Sequence, residues 1–376
     1  MDSTSVVRAV VRDRVEVALT GPDPAVLRLG LLLPLSGALG LTGPSGLAAA
    51  TLAATEVNAA GGVAGRVVQL VLVDAGRTPG EVAREAGDLA DLLDGYVGFH
   101  TSDVHRALEL TLGGRVPYIF TPPHEGGTRR AGVVLLGDSP TTQLGPAVRW
   151  LVAHRGLRRW ALVGSDYIWP RAVHRAACAI VRGLGADVVA ERLVPFPGPG
   201  IDAEEIVAGL GRVRADAVLL SLVGRDLVSF NRAFVASPLA GRVVRLSGSL
   251  EENGLLAAGG DETGELYAAM RSFAGQGDER RIALTERHRA LFGGQAPVLD
   301  AYAEGCYYGV HLAAALASTG SLSADRVRPA ATALLATGEH RAWSAAPLGP
   351  PRPGGFLARA DGLDLTVITP LSAGPG

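Results

Sequence analysis

From about Leu27 onward, short β-rich apolar runs alternate with amphipathic stretches of about 10 to 15 residues. Such alternation predicts βα units and parallel sheets, an α/β fold class. The first unit reads as a strand over 28–35, a loop "SGALGLTGPS", a helix over 46–60 and, after "GGVAGR", a strand "VVQLVLVDA". Gly61 and Gly62 follow a helix and precede a strand, whereas a dinucleotide fingerprint needs its glycines after a strand and before a helix. They are read as a helix stop.

The series continues with helix "GEVAREAGDLADLL", a strand over 95–99, helix "SDVHRALELTL" and a strand over 116–120, and this half closes near "AGVVLLGDSP". A second half runs from helix "TTQLGPAVRWLVAHRG" through strand "RWALVG", helix "AVHRAACAIVRGLG", strand "DVVAERLVPF", helix "DAEEIVAGLGRV", strand "DAVLLSLVG" and helix "RDLVSFNRAFVAS" to strand "RVVRLSGS". Two βα halves of similar length result, as in an internal duplication of fold. After "ELYAAMRSF" come helices around "ERRIALTERHRALF" and "DAYAEGCYYGVHLAAALAS", and a third, "SADRVRPAATALLAT", which Pro329 kinks or delays. The Pro- and Gly-rich tail is expected to form loops with a terminal strand or two. Residues 1–26 carry the weakest pattern.

At 376 residues the chain has the length of two domains or one large one. Hydrophobic residues make up 48%, yet no apolar run approaches the roughly 20 residues that span a bilayer. A net charge of -2 gives no electrostatic reason for a nucleic-acid or acidic-membrane partner. The chain has no Lys, so a lysine Schiff base and the phosphate-binding lysine of a P-loop are both excluded. Cys178 and Cys306 sit in helical contexts and are expected to be buried free thiols. Arg8, Arg12 and Arg14 interrupt the amino-terminal segment, so no secretory h-region is read and a cytoplasmic location is expected, or an extracytoplasmic one if the true start lies elsewhere.

No nucleophile elbow, H-E-x-x-H or Walker A sequence is present. His100, His105 and His124 form the nearest histidine cluster, without the cysteines or paired carboxylates a metal site needs, so neither metal nor cofactor is expected. The turns at strand carboxyl ends are richer: "FHTSD", "FTPPHEG", "GSDYIWPR", "VGRD" and "SGSLEEN". In open α/β sheets ligands bind outside those ends. Ser102 is expected to cap the helix after it. Tyr167 and Trp169 alternate, so in an extended turn they share a side, either as a core plug or as a cleft wall that stacks on a small planar group. Asp166 and Arg171 are expected to pair, Phe120 to end a strand within the core or beside the cleft, and His124 and Glu125 to face water.

The stretch "GLLLPLSGALGLTGPSGLAAATLAATEVNAAGGVAGRVVQLVLVDAG" resembles the first unit of type I periplasmic-binding-fold proteins of the branched-chain amino acid, urea and amide group. "DAYAEGCYYGVHLAAALA" resembles their late helix, "APLGPPRPGGFLARADG" keeps their "AP-x-G" beginning, and "GSDYIWPR" is similar to the turn of the cytoplasmic amide sensors of aliphatic amidase operons. The resemblance implies two Rossmann-like lobes, parallel sheets flanked by helices, joined by a three-crossover hinge and closing on a ligand. It implies a first lobe of 27–139 plus about 273–335, a second of 140–272 plus about 336–376, and an extension, 1–26, without assigned role. Carried residue by residue, the ligand contacts are His100, Ser102, Phe120 and Thr121 on one side and Tyr167 and Trp169 on the other.

The implied function is non-enzymatic binding of a short amide, urea-like or amino-acid-like molecule. As a cytoplasmic sensor the chain would have an antiterminator-like regulator as partner, and as an importer's receptor an ABC permease. The departures Pro122, His124 and Trp169 from the sensors' pattern leave the ligand open, and a homodimer stays open as well.

Overall fold

The computed structural model describes residues 3–337 and 354–372, which divide into two units. Elements are numbered in chain order. The first unit holds strands β1 (Val11–Arg12), β2 (Val26–Leu33), β3 (Val67–Asp74), β4 (Gly95–Gly98), β5 (Tyr118–Phe120) and β6 (Val133–Leu135), with helices α1 (Ser3–Val10), α2 (Arg14–Thr20), α3 (Gly43–Ala59), α4 (Pro79–Leu89) and α5 (Ser102–Leu112). The second holds α6 (Pro140–Arg155), β7 (Arg159–Asp166), α7 (Ile168–Gly183), β8 (Asp187–Pro195), α8 (Ala203–Arg212), β9 (Ala217–Ser221), α9 (Gly224–Val235), β10 (Val244–Ser247), α10 (Glu252–Ala258) and β11 (Leu266–Met270). The chain then returns to the first unit for α11 (Glu279–Phe292), α12 (Ala301–Ser318) and α13 (Val327–Thr337), and finishes in the second with β12 (Phe356–Asp361) and β13 (Asp364–Pro370).

The first sheet is ordered β1-β3-β2-β4-β5-β6, with every pairing parallel. A parallel sheet is buried on both faces, and the alternating side chains of its strands divide accordingly. Leu27, Leu29, Leu31 and Leu33 face the cluster built by α3, α11, α12 and α13, while Leu32, Tyr96, Tyr118 and Phe120 face the cluster built by α4 and α5. Gly309 lets α12 seat directly on the sheet, since a Cβ there would stand 2.5 Å from Val97 Cγ1 and 2.9 Å from Thr121 Cγ2. The second sheet is ordered β13-β12-β11-β10-β9-β7-β8, parallel from β8 to β11 and closed by the antiparallel hairpin β12–β13.

The two units share a device at the amino ends of their strands. Asp94, just before β4, accepts the backbone N–H of Arg28 in β2 at 2.8 Å and donates its own N–H to the Arg28 carbonyl at 2.8 Å. Asp216, just before β9, does the same to Arg159 in β7, at 2.9 and 2.8 Å. An aspartate thus sets the register of the corresponding strand pair in each half.

Several expectations are met. Gly61 and Gly62 end α3 with φ of 95° and 74°, and Ala60 through Gly62 bond back to the last turn. Pro329 falls in the first turn of α13, whose start is delayed to Val327. The tail supplies two strands. Cys306 is the expected buried free thiol, pushed up to about 12 by burial, whereas Cys178, also free, is only half-buried.

Other boundaries move. Residues 3–26, from the stretch without a readable pattern, fold onto the first unit: β1 pairs with the β3 edge, and Val10 and Val17 are buried. The run "VVL" at 133–135 is a strand too short for periodicity to register, and "ENGLLAA", whose first two residues the sequence places in the turn "SGSLEEN", forms α10. The "AP-x-G" segment lies outside the described residues.

In the second unit Arg245 is fully buried at the start of β10. It donates to Asp261 Oδ2 at 2.6 Å, Thr263 Oγ1 at 2.8 Å and Asn231 Oδ1 at 3.0 Å, and its guanidinium lies 4.2 Å from the Phe234 ring centre. Removing one partner of a buried pair strands the other. Asp261→Ala is expected to cost about 3–5 kcal/mol in urea denaturation at pH 7.5, and Arg245→Met with Asp261→Leu markedly less. A loss below about 1 kcal/mol for the single variant would contradict this account of the pair.

Candidate functional site

Strand order fixes where a ligand has room. From β2 the chain crosses to β3 on one side, and β4 lies on the other; from β7 it crosses to β8 on one side, and β9 lies on the other. Connections therefore diverge at the carboxyl ends of β2 and β4 in the first unit and of β7 and β9 in the second, and such switch points leave a crevice. Four helices begin there: α3, α5, α7 and α9. Their cap residues Thr42, Thr101, Tyr167 and Val223 make no side-chain capping bond. The other described helices that follow a strand are capped, α2 by Asp13, α4 by a Thr78–Glu81 capping box, α6 by Ser139, α8 by Asp202 and α10 by Glu251.

In the first unit the cap of α5 is Thr101, whose carbonyl accepts the N–H of His105 at 2.9 Å, and Ser102 is the first helical residue rather than the expected cap. Ser102 is buried at the start of the helix. His100 lies under this turn. Its Nδ1 is 3.1 Å from the Thr101 carbonyl, which can only accept, so Nδ1 carries the proton and Nε2 is a lone pair. The Tyr118 hydroxyl, 2.9 Å away, donates to that Nε2, and Tyr118 in turn accepts from His105 Nδ1 at 3.0 Å. Phe120 stacks on the His105 ring at 4.1 Å. Burial pushes His100 down to about 4, so its imidazole is neutral at pH 7.

Thr121 donates to the Gly98 carbonyl at 3.2 Å and packs under α12. The structure thus brings His100 and Phe120 together on one face of the sheet and places Thr121 on the other, with Ser102 at the helix start. His105 and Tyr118, which complete the relay, were not legible as partners. Their signal is period two in β5, which sets Tyr118 on the face of Phe120.

In the second unit the extended-turn reading of "GSDYIWPR" is corrected. β7 runs to Asp166, Tyr167 is the cap of α7 and Trp169 lies in its first turn, because Pro170 fits a first turn, where no N–H is needed. Tyr167 and Trp169 are both less than a tenth exposed, and the Tyr167 ring packs at 4.8 Å on Phe196, a neighbour the sequence did not suggest. Arg171 pairs with Asp166 at 2.6 Å, as expected. Glu251 accepts the N–H groups of Asn253 and Gly254 at 2.6 and 2.9 Å, and Ser249 donates to the Leu222 carbonyl at 2.7 Å. Asp166 is therefore engaged as an ion-pair partner and Glu251 as a cap. His124, expected to face water, is buried, and its Nδ1 accepts the N–H of Gly126 at 2.9 Å. The loop after β2, at the first unit's switch point, is held by Asp74 Oδ1, which accepts from Leu35 and Gly76 at 2.9 Å each.

A family model described as periplasmic binding protein matches residues 26–346, most of the chain. The chain belongs to this family. Its α/β architecture, two helix-flanked sheets with mostly parallel strands, is the type I periplasmic binding protein fold. Among solved structures, a fatty acid ABC transporter substrate-binding protein from Thermomonospora curvata is 18% identical, with a TM-score of 0.75 over 93% of this chain and 94% of that one. The branched-chain amino acid transporter substrate-binding protein of Streptococcus pneumoniae, in complex with isoleucine, is 16% identical, with 0.73 over 92% and 100%. A solute-binding protein of R. palustris in complex with benzoate is 17% identical, with 0.68 over 93% and 98%. At such identities the likeness of this periplasmic binding protein to the three carries the fold and no ligand.

The histidines give the fold an acid limit. His100 is neutral when folded and titrates near 6.5 when unfolded, so as pH falls the unfolded chain takes up the proton first, and stability is lost from about pH 6.5 down to about 4. His288, on α11, is pushed to about 4 by burial and by Arg281 and Arg289, and acts with the same sign. Each is expected to remove about 2 kcal/mol between pH 7.5 and 5, a window above the range in which carboxylates titrate. Urea midpoints at the two pH values measure this, and equal midpoints would exclude it.

Proposed function

We propose that this periplasmic binding protein is a non-enzymatic receptor for a small organic molecule of the amide, urea or amino-acid class, serving an ABC importer. The observation that carries this is the set of four helices at the two switch points whose cap residues supply no acceptor, with Ser102 beginning one and Tyr167 and Trp169 opening another. A first turn without a side-chain cap suits a polar ligand atom, and indole and phenol rings beside it suit a small planar or branched one. The solved relatives described as ABC transporter substrate-binding proteins support the importer role. A ligand bound at these helix starts would shift the protein toward the state it binds more tightly, by its differential affinity for that state.

A second reading, a cytoplasmic amide sensor that restrains a regulator protein, is favoured by "GSDYIWPR" alone. The two readings share a ligand and differ in address. Cell fractionation separates them: release with the extracytoplasmic fraction supports the receptor, and retention in the cytoplasm the sensor.

A thermal-shift screen of amides, ureas, small amino acids, benzoate and short fatty acids identifies the ligand class, because binding to the native state raises the melting temperature. A response confined to benzoate or fatty acids would overturn the proposed class, and steady product release from a responding amide would overturn the non-enzymatic reading. With the responding compound, Trp169→Ala is expected to weaken binding at least tenfold by calorimetry while the chain still melts cooperatively; unchanged affinity would assign Trp169 to the core.

A further inference from the structure

Gly164 sits near the end of β7, in register with Ser221 of β9. A Cβ at Gly164 would lie 2.2 Å from Ser221 Oγ and 2.9 Å from His174 Nε2, so these two atoms are no more than about 5 Å apart. They make no hydrogen bond to each other, and neither has a partner among the described residues, although Ser221 is fully buried and His174 1% exposed. The other nitrogen of His174, Nδ1, is 2.9 Å from Glu191 Oε1 on β8. An ionised carboxylate only accepts, so Nδ1 carries the proton and Nε2 presents a lone pair toward Ser221.

The order Glu191, His174, Ser221 is that of an orienting carboxylate, a base and a nucleophile. Ser221 is wholly enclosed between sheet and helix, however, and no substrate atom reaches it. What the geometry does suit is a water molecule. Two hydrogen bonds of about 2.8 Å meeting at a tetrahedral angle span about 4.6 Å, and buried groups without a protein partner are ordinarily satisfied this way.

We propose that one internal water is bound between Ser221 Oγ and His174 Nε2, donating to the imidazole lone pair and bonding the hydroxyl. Glu191, His174, the water and Ser221 then form one continuous chain from β8 through α7 to β9. The chain holds the second turn of α7 on the sheet, one turn beyond Trp169, and Gly164 is the position that lets it pass over β7. The inference rests on this geometry and is independent of any ligand.

The test is a crystal structure of the full chain at a resolution that orders waters, with nitrogen chemical shifts of the His174 ring at pH 7.5. A density peak within about 3.2 Å of both atoms, together with the Nδ1–H tautomer, is the expected result. A direct bond between Ser221 and His174, a dry gap between them, or the Nε2–H tautomer would each overturn it.

Discussion

Parallel pairing is the constraint from which the rest of the molecule follows. Parallel strands cannot be joined by a tight turn, so the chain leaves each strand at its carboxyl end and crosses a face of the sheet before the next begins. Both faces are thereby covered, and the central strands are buried along their length: all eight residues of β2 and all five of β9 are buried. Helix starts collect at the carboxyl end, and the amino end is left to turns whose only task is register. Asp94, Asp216 and the Arg245–Asp261 pair all work at that amino end.

At the carboxyl end the polar groups are arranged differently in the two units. In the first, His100, Tyr118 and His105 pass hydrogen bonds in one direction beneath the start of α5, which fixes the tautomers. In the second, α7 places rings at the helix start and relies on contacts further along for its seat. The Tyr167–Phe196 contact and the His174–Glu191 bond both tie α7 to the β8 side of the sheet.

The alternation of elements was legible because burial on both faces makes the inner strands near-continuous apolar runs, and most of the helices between them are striped. The repeat of the two halves was legible for the same reason, and the paired aspartates in "DGYVGF" and "DAVLLS" are its physical trace. What pattern could not supply is direction at the ends of elements. Whether Tyr167 and Trp169 lie in an extended turn or in a first helical turn depends on Pro170, which suits either until the neighbouring backbone is in place. Phe120 and Thr121 are adjacent, so they point to opposite faces; stacking on His105 and contact with α12 decide which is which, and both partners are distant in sequence from the signal that flagged them. Residues 3–20 follow the same logic, because a two-residue edge strand and two short helices gain their order from β3 and α3 rather than from their own period.

The caps tell where stability has been given up. A side-chain cap contributes about 1 kcal/mol to a helix, and a chain of this kind is stable by about 5–15 kcal/mol in all. Thr42, Thr101, Tyr167 and Val223 together forgo a contribution of about 4 kcal/mol, a large share of that margin. Chance would scatter such omissions along the chain, yet they fall on the four helices that start beside the two switch points, while Ser139, Asp202 and Glu251 cap their neighbours in the usual way. Threonine at positions 42 and 101 sharpens the point, since a hydroxyl suited to capping is present there and is not used for it: Thr42 bonds the Leu39 carbonyl instead. Capped and uncapped helices start at the same end of each sheet, so the omission follows the switch points rather than the end, and it suits the proposed binding role because an acceptor supplied by the helix itself would occupy the donors a ligand must find.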